Sequence, residues 1–301
     1  MAIATMGSTS ATHAQDDKPT ITVGSKNYAE QLIVGEMVAL LLENAGFPVE
    51  RQMNLGGTAI AHEGLVSGDL DVYVEYTGTG LIAILEQELP EAEASPGATA
   101  EAGAIVDPAY AIVAEAYPRE FGVEWLKPWG FNNTFAIVVR QNYGTEHQIS
   151  KISDLEPIAG DMTLGSDPEF AVRPDGLPGL EETYGFSFKD VQTMDVGLLY
   201  SSIAEGNVDV SVAASTDGRI PAFDLLILDD DKSFFPPYYA APIVRQDLLE
   251  KAPDVETILN QLAGKISNDE MASMNYDVDE NDNEPIDVAR GFLADLGLID
   301  S

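Results

Sequence analysis

The sequence predicts an α/β protein made of two similar lobes with a ligand cleft between them, and three observations favour this fold class. Strand-like and helix-like segments alternate along the chain, which is the pattern of sheets covered by helices. One segment from the first quarter of the 301 residues is repeated in the third quarter. Hydrophobic residues make up 45% of the chain, so it can bury a core despite its acidity.

The first elements are indicated by residue spacing and by glycines. Apolar residues at helical spacing run up to Gly46 and, in a second segment, up to Gly68, because glycine readily adopts the left-handed conformation that closes a helix. The predicted elements are a strand over 20–25, a helix over 29–46, a strand over 49–54, a helix over 58–68 and a strand over 70–76.

The remainder continues the alternation, which favours parallel sheets. In the turn GSDPEF, Ser166 or Asp167 is predicted to cap a helix that has Pro168 at its first position. The acidic run over 86–104 predicts a loose surface excursion. The other predicted elements are a strand over 135–140, a helix start at 152–155, a strand near 224–231 and helices near 254–266 and 285–297.

The internal repeat aligns two segments without gaps. The copies are SGDLDVYVEYTG at residues 67–78 and EGNVDVSVAAST at residues 205–216. Asp71 matches Asp209, whereas Tyr76 matches Ala214. One interpretation is a common helix-to-strand connection of the type Gly-x-x-Asp-Val. The other, which we favour, is two α/β lobes that each offer the end of an equivalent strand to a shared cleft.

The charge balance excludes one class of partner. The chain has 51 acidic and 15 basic residues, a net charge of −36, so it lacks the lysine and arginine clusters that bind nucleic acid. The acidic residues are spread along the chain, which predicts adaptation to concentrated salt, where the Debye length falls to ~3 Å. The alternative is an ordinary protein with an acidic surface.

Several other features are predicted to be absent. There is no cysteine, and no apolar run approaches the ~18 residues needed to span a membrane. Residues 1–19 are small and polar, and we interpret them as a flexible leader or the remnant of an export signal. The acidic run over 277–283 lacks the glycine and glutamate of a calcium loop, so we expect a solvated loop. We find no catalytic constellation, and we expect no metal, no cofactor and no enzymatic activity.

The segment DVYVEYTGTG ends a strand on Tyr76 and continues with glycines and hydroxyls. One interpretation is a strand-to-helix turn with an incidental aromatic residue. The other is a binding site, because ligands of α/β proteins collect at the carboxyl ends of strands.

A set of motifs carries a family resemblance over residues 20 to 290. The motifs are ITVGSKNYAEQLIVGEMVALLLENAG, NLGGTAIAHEGL, YVEYTGT, EWLKPWGFNNTF, GSDPEFAVRPDGLPGL, STDGRI and DDDKSFFPPY. The chain resembles the substrate-binding proteins of osmoprotectant ABC transporters, the glycine betaine/choline/proline betaine family. The resemblance implies a type II periplasmic-binding-protein fold, with two lobes, two crossover segments and a ligand between them. The implied domains are lobe 1 over 20–128 plus 238–301 and lobe 2 over 129–237.

The resemblance also implies an aromatic cage for a quaternary ammonium group, which aromatic faces attract. Tyr76 and Tyr238 are two walls, and Phe135 stands where relatives usually carry tyrosine. An oxygen at Asn133 faces the ammonium group. Ala214 lacks the tyrosine of the fourth wall, so the pocket either admits a bulkier ligand or is completed by another ring. The candidates for that ring are Tyr239, Trp129 and Tyr28.

At the other end of the ligand, the resemblance assigns Lys26, Thr79 and Arg173 to a carboxylate, which favours a betaine over choline. Lys26, Tyr76, Thr79 and Tyr238 are expected on lobe 1, and Asn133, Phe135 and Arg173 on lobe 2.

The implied function is an extracytoplasmic receptor that closes on its solute and delivers it to a permease driven by an ATPase. It would meet the membrane through that transporter without spanning it. The alternatives are a receptor for choline, carnitine or a bulkier methylated solute and, less favoured, an enzyme on the same scaffold.

Overall fold

The computed structural model describes residues 18–87 and 107–300, which form two α/β lobes with one five-stranded sheet each. Most of the predicted leader and most of the predicted acidic excursion lie outside these residues. The strands are β1 (Ile21–Gly24), β2 (Val49–Gln52), β3 (Val72–Tyr76), β4 (Val123–Trp125), β5 (Phe135–Arg140), β6 (Thr163–Ser166), β7 (Asp190–Thr193), β8 (Val210–Ala214), β9 (Leu225–Ile227) and β10 (Ala240–Arg245).

The helices flank these sheets. They are α1 (Ala29–Asn44), α2 (Thr58–Ser67), the single turn α3 (Thr77–Thr79), α4 (Pro108–Glu120), α5 (Gln141–His147), α6 (Leu177–Tyr184), α7 (Val196–Ala204), α8 (Arg219–Ala222), α9 (Gln246–Lys251), α10 (Asp254–Leu259), α11 (Asn268–Asp279) and α12 (Pro285–Asp295). A π-helical turn covers Gly80–Ile84, and 3₁₀ turns cover Ile152–Leu155, Ala159–Asp161 and Asn260–Leu262. No helix within 18–87 or 107–300 is long and apolar enough to cross a membrane.

The two sheets have the same plan. The first has the order β2-β1-β3-β10-β4 and the second the order β7-β6-β8-β5-β9. In each sheet the first three strands are parallel and the fourth is antiparallel to its neighbours. The prediction of parallel sheets is therefore wrong for β5 and β10. Each of these strands enters its sheet directly from a crossover between the lobes, so no covering helix precedes it to set a parallel direction.

The repeated segments become the central strands of the two sheets, which confirms the two-lobe interpretation. Asp71 Oδ2 accepts a bond from the backbone N–H of Thr22 at 2.8 Å, and Asp209 Oδ2 accepts the same bond from Thr163 at 2.9 Å. These carboxylates tie the turn before β3 to β1 and the turn before β8 to β6. The repeated aspartate is therefore a structural residue of each lobe.

Two local predictions are wrong. Residues 168–176 form turns, and the next helix begins only at Leu177, although the Asp167 carboxylate accepts bonds from the N–H groups of Glu169 and Phe170 as a helix cap does. The prediction of a solvated acidic loop over 277–283 is also wrong for its first residues, since α11 continues to Asp279. That carboxylate lies 3.1 Å from the buried Arg219, so an ion pair holds it against the protein.

Two crossover segments connect the sheets, residues 126–134 and 228–239. They are bonded to each other, because Asn133 N donates to Tyr238 O at 3.0 Å and Tyr238 N donates to Asn132 Oδ1 at 2.7 Å. Trp129 packs into the core of the first sheet. The lobe boundaries at 128/129 and 237/238 stay a prediction.

Removal of either repeated aspartate should destabilise the protein. We expect Asp71→Ala and Asp209→Ala each to lower the free energy of unfolding by roughly 1.5 kcal/mol, because each removes a charge-assisted bond between neighbouring elements. Denaturant unfolding at high salt measures the effect. Asp69→Ala, which removes the same charge from an exposed position nearby, is the control. Equal losses in all three variants would contradict the structural role.

Candidate ligand-binding site

A cavity of about 360 Å³ lies in the crevice between the two sheets. All seven predicted site residues line it: Lys26, Tyr76, Thr79, Asn133, Phe135, Arg173 and Tyr238. Their role as ligand contacts stays a prediction.

The strand ends and crossovers position these side chains. Tyr76 is the last residue of β3, Lys26 lies two residues after β1, and Phe135 is the first residue of β5. Arg173 lies in the turns after β6, whereas Asn133 and Tyr238 belong to the two crossovers. The site is thus assembled where both sheets and both connections meet.

Aromatic side chains form much of the cavity wall. Tyr28, Tyr76, Phe135, Tyr200 and Tyr238 line it. The rings of Phe135 and Tyr238 meet edge to face, with centroids 5.6 Å apart and planes at 75°. Burial raises the pKa of both Tyr76 and Tyr238 well above that of a free phenol, so these walls are uncharged at neutral pH.

The space beside Ala214 is filled by a ring that the sequence analysis missed. Tyr200 of α7 lines the cavity, and its hydroxyl accepts a bond from the backbone N–H of Ala214 at 3.2 Å. Of the proposed substitutes, Tyr28 lines the cavity. Trp129 is buried elsewhere and donates to Leu259 O, and Tyr239 is not part of the wall. The repeat gives no signal for this ring, because the residue that matches Tyr200 in α2 is His62, which does not line the cavity.

The two cations of the cavity are already paired with buried acids. Lys26 Nζ lies 2.6 Å from Glu75 Oε1, with both side chains at most 4% exposed, and it donates to Thr58 Oγ1 at 3.1 Å. Glu75 also accepts the hydroxyl of Tyr73 and the N–H of Tyr76. This pair joins the turn after β1 to β3, the strand that ends on Tyr76.

Arg173 forms a bidentate ion pair with Asp175. Its Nε donates to Asp175 Oδ1 at 2.8 Å, and its Nη2 donates to Asp175 Oδ2. Burial lowers the pKa of Arg173, but the Asp175 carboxylate outweighs burial and raises it above the ordinary value. Nη2 also lies 3.4 Å from Thr79 Oγ1, and Tyr238 donates its hydroxyl to Asp175 at 2.7 Å. The arginine thereby joins both lobes and one crossover.

A third carboxylate crosses the crevice. Glu169 accepts the backbone N–H of Thr58 at 2.9 Å, at the N-terminal end of α2, and lies 3.6 Å from Arg173 Nη1. A side chain at Gly57 would clash, since its Cβ would lie 1.8 Å from Glu169 Oε1. Unlike Glu75 and Asp175, whose side chains are fully buried, Glu169 is 43% exposed.

Known proteins share this architecture. The family model described as the substrate-binding domain of ABC-type glycine betaine transport systems matches residues 19–295. The chain is 35% identical to a carnitine transport binding protein of Listeria monocytogenes, over 92% of this chain and 86% of that protein. It is 32% identical to a glycine-betaine-binding protein of Pseudomonas aeruginosa, over 93% and 89%. A solved structure of a glycine betaine/carnitine/choline ABC transporter superposes with a TM-score of 0.74 and 32% identity, over 93% of this chain and 100% of that one.

The Lys26–Glu75 pair should show strong coupling in unfolding experiments. We expect Lys26→Met alone to cost roughly 3–5 kcal/mol of unfolding free energy, because it leaves a buried carboxylate without a cation. The double variant Lys26→Met/Glu75→Gln should recover much of that loss.

The exposed pair Lys251–Asp247, at 3.1 Å, is the matched control. Its coupling should stay below about 1 kcal/mol. A double variant as unstable as the sum of the two buried single variants would contradict the pairing.

Proposed function

The chain belongs to the family of substrate-binding domains of ABC-type glycine betaine transport systems, and we propose that it captures glycine betaine or a related betaine for import. The observation that carries this proposal is that five aromatic side chains line one cavity in the crevice. A trimethylammonium group has no hydrogen-bond donor, so directional acceptors do not hold it. Aromatic faces do, at ~0.5–2 kcal/mol each when water is excluded.

The carboxylate of a betaine has a plausible position in the same cavity. Glu75 and Asp175 are fully buried and fixed by their ion pairs, so a ligand acid would not displace them. Glu169 is the exposed acid, and it accepts from the Thr58 N–H and faces Arg173. We propose that the ligand carboxylate takes the place of Glu169. It would then use Arg173 as expected, together with a helix N-terminus that favours anions.

A second candidate is a solute with a net positive charge, or a larger one such as carnitine. Asp167, Glu169 and Asp195 also line the cavity and favour cations. The volume of the cavity also favours a larger solute. A solute of eight heavy atoms, each given the ~30 Å³ of a liquid water molecule, fills about two thirds of the cavity.

We further propose that the protein works outside the cytoplasm and hands its solute to a permease and an ATPase of the ABC type. It would reach the membrane through these partners. Its acidic composition suits a medium of high salt, which screens the repulsion among its carboxylates. We propose no chemical conversion of the solute, so bound solute should be recovered unchanged.

Calorimetric titration at high salt tests the proposed function. Wild type should bind glycine betaine, and Tyr76→Ala should weaken every quaternary ammonium ligand by roughly 2- to 30-fold, because one aromatic wall is lost. Tyr143→Ala, a half-buried tyrosine outside the cavity, should leave binding unchanged. Wild type that binds none of glycine betaine, carnitine or choline would refute the proposal.

Glu169→Gln should change the ratio of affinities. We expect glycine betaine to bind several-fold more tightly, since a competing carboxylate is removed, and choline to bind less tightly, since an attractive charge is lost. The exposed Glu182→Gln is the charge-matched control. An unchanged ratio in Glu169→Gln would show that the ligand carboxylate binds elsewhere.

A further inference from the structure

The hydroxyl of Tyr76 points away from the cavity into a polar cluster at the start of α1. It lies 2.6 Å from Glu30 Oε1 and 3.1 Å from Gln31 Nε2. An amide nitrogen only donates, so the hydroxyl accepts from Gln31 and gives its own proton to Glu30. The hydroxyl proton is therefore left for the Glu30 carboxylate.

Glu30 is a buried carboxylate, 2% exposed, with four hydrogen bonds and no cation beside it among the described residues. Oε1 accepts from Tyr76 and from Asn133 Nδ2 at 2.7 Å. Oε2 accepts from Thr216 Oγ1 at 2.6 Å and Asn275 Nδ2 at 2.9 Å.

These neighbours favour the ionised form of Glu30. All four partners can donate, and the amide nitrogens of Asn133 and Asn275 can only donate, so an ionised carboxylate accepts all four bonds. Burial raises the pKa of Glu30 above its ordinary value, and the four bonds, which favour the ionised form, only partly offset that shift. Its position in the first turn of α1 also favours negative charge, because the N-terminal end of a helix carries a partial positive charge.

The second cage tyrosine provides an internal comparison. Tyr238 also donates its hydroxyl to a buried acid, Asp175, at 2.7 Å. That acid, however, is neutralised by Arg173. Lys26, whose Nζ lies 5.2 Å from the Tyr76 ring centroid, is likewise neutralised by Glu75. Glu30 is thus an uncompensated charge directly behind a wall of the cavity.

Asn133 links the same carboxylate to the cavity a second time. Its Nδ2 is bound to Glu30, and its Oδ1 is buried without a partner among the described residues. Because Asn133 lines the cavity, its bond to Glu30 fixes the orientation of a second group in the cavity wall.

We propose that Glu30 sets the affinity for the cationic head of the solute without touching it, as a positioning residue that acts through Tyr76 and Asn133. The inference rests on the proposed function. A phenol that donates to an anion has a more electron-rich ring, and a more negative ring face attracts a cation more strongly. The charge itself also attracts the cation, because water is excluded from the path between them. A neutral head of the same shape gains neither effect.

The test compares solutes that differ only in head charge. Glycine betaine is paired with 3,3-dimethylbutanoate, and choline with 3,3-dimethylbutan-1-ol, in which carbon replaces the ammonium nitrogen. The cation preference is the ratio of the two Kd values within a pair. It is measured with the pair whose ammonium member binds to wild type. We expect Glu30→Gln to lower that preference about tenfold.

Two further variants separate charge from structure. Tyr76→Phe keeps the aromatic ring but removes its bond to Glu30, so it should also lower the cation preference. This variant tests the inference if Glu30→Gln folds poorly. Thr216→Val removes one bond to Glu30 and leaves the charge, so it should lower the free energy of unfolding and keep the preference. Equal weakening of both members of a pair in Glu30→Gln and Tyr76→Phe would overturn the inference and leave the proposed function standing. Wild type that binds none of glycine betaine, carnitine or choline would overturn both.

Discussion

The ion pair between Lys26 and Glu75 joins the turn after β1 to the central strand β3, and the rest of the crevice is arranged around it. Glu75 immediately precedes Tyr76 and accepts its backbone N–H, so the pair also fixes the first aromatic wall. Arg173 and Asp175 do the same at the other side, where the acid receives the hydroxyl of Tyr238. In both cases a buried cation is tolerated because an acid lies against it, and that acid then orients a tyrosine.

These ion pairs change the role that we assign to the positive side chains of the cavity. Lys26 and Arg173 first stabilise the fold through their ion pairs. Only the hydrogen-bond donors that these pairs leave unused can bind a ligand. The exposed acid Glu169 is the group that a ligand carboxylate would displace, since it holds the N-terminal end of α2 without being buried. Glu30 is the opposite case: it accepts four hydrogen bonds and has no cation beside it in the part of the chain that the structure describes. The aromatic wall in front of it is thereby suited to a cation.

The order of elements followed from the sequence because it depends on local patterns, whereas the candidate cage residues were implied by the family resemblance and their role stays a prediction. Tyr76 ends a strand in a glycine-rich turn, and the repeated aspartates mark equivalent connections in the two lobes. The acids that complete the site could not be predicted from the sequence, because their partners are distant in the chain. Glu30 and Thr216, for example, are 186 residues apart. Nor did Tyr200 stand out, since only the folded lobe places that helix residue beside Ala214. The antiparallel strands β5 and β10 depend on where the crossovers enter each sheet, which periodicity does not reveal.

A crystal structure of the protein with glycine betaine is the most direct measurement of the central claim, that aromatic faces hold the methylated head. The account predicts an ammonium nitrogen within about 6 Å of the ring centroids of Tyr76 and Tyr238. It also predicts a carboxylate at the Thr58 N–H and Arg173, with Glu169 moved outward. An ammonium group bound against Asp167 and Asp195, away from both tyrosine rings, would contradict it.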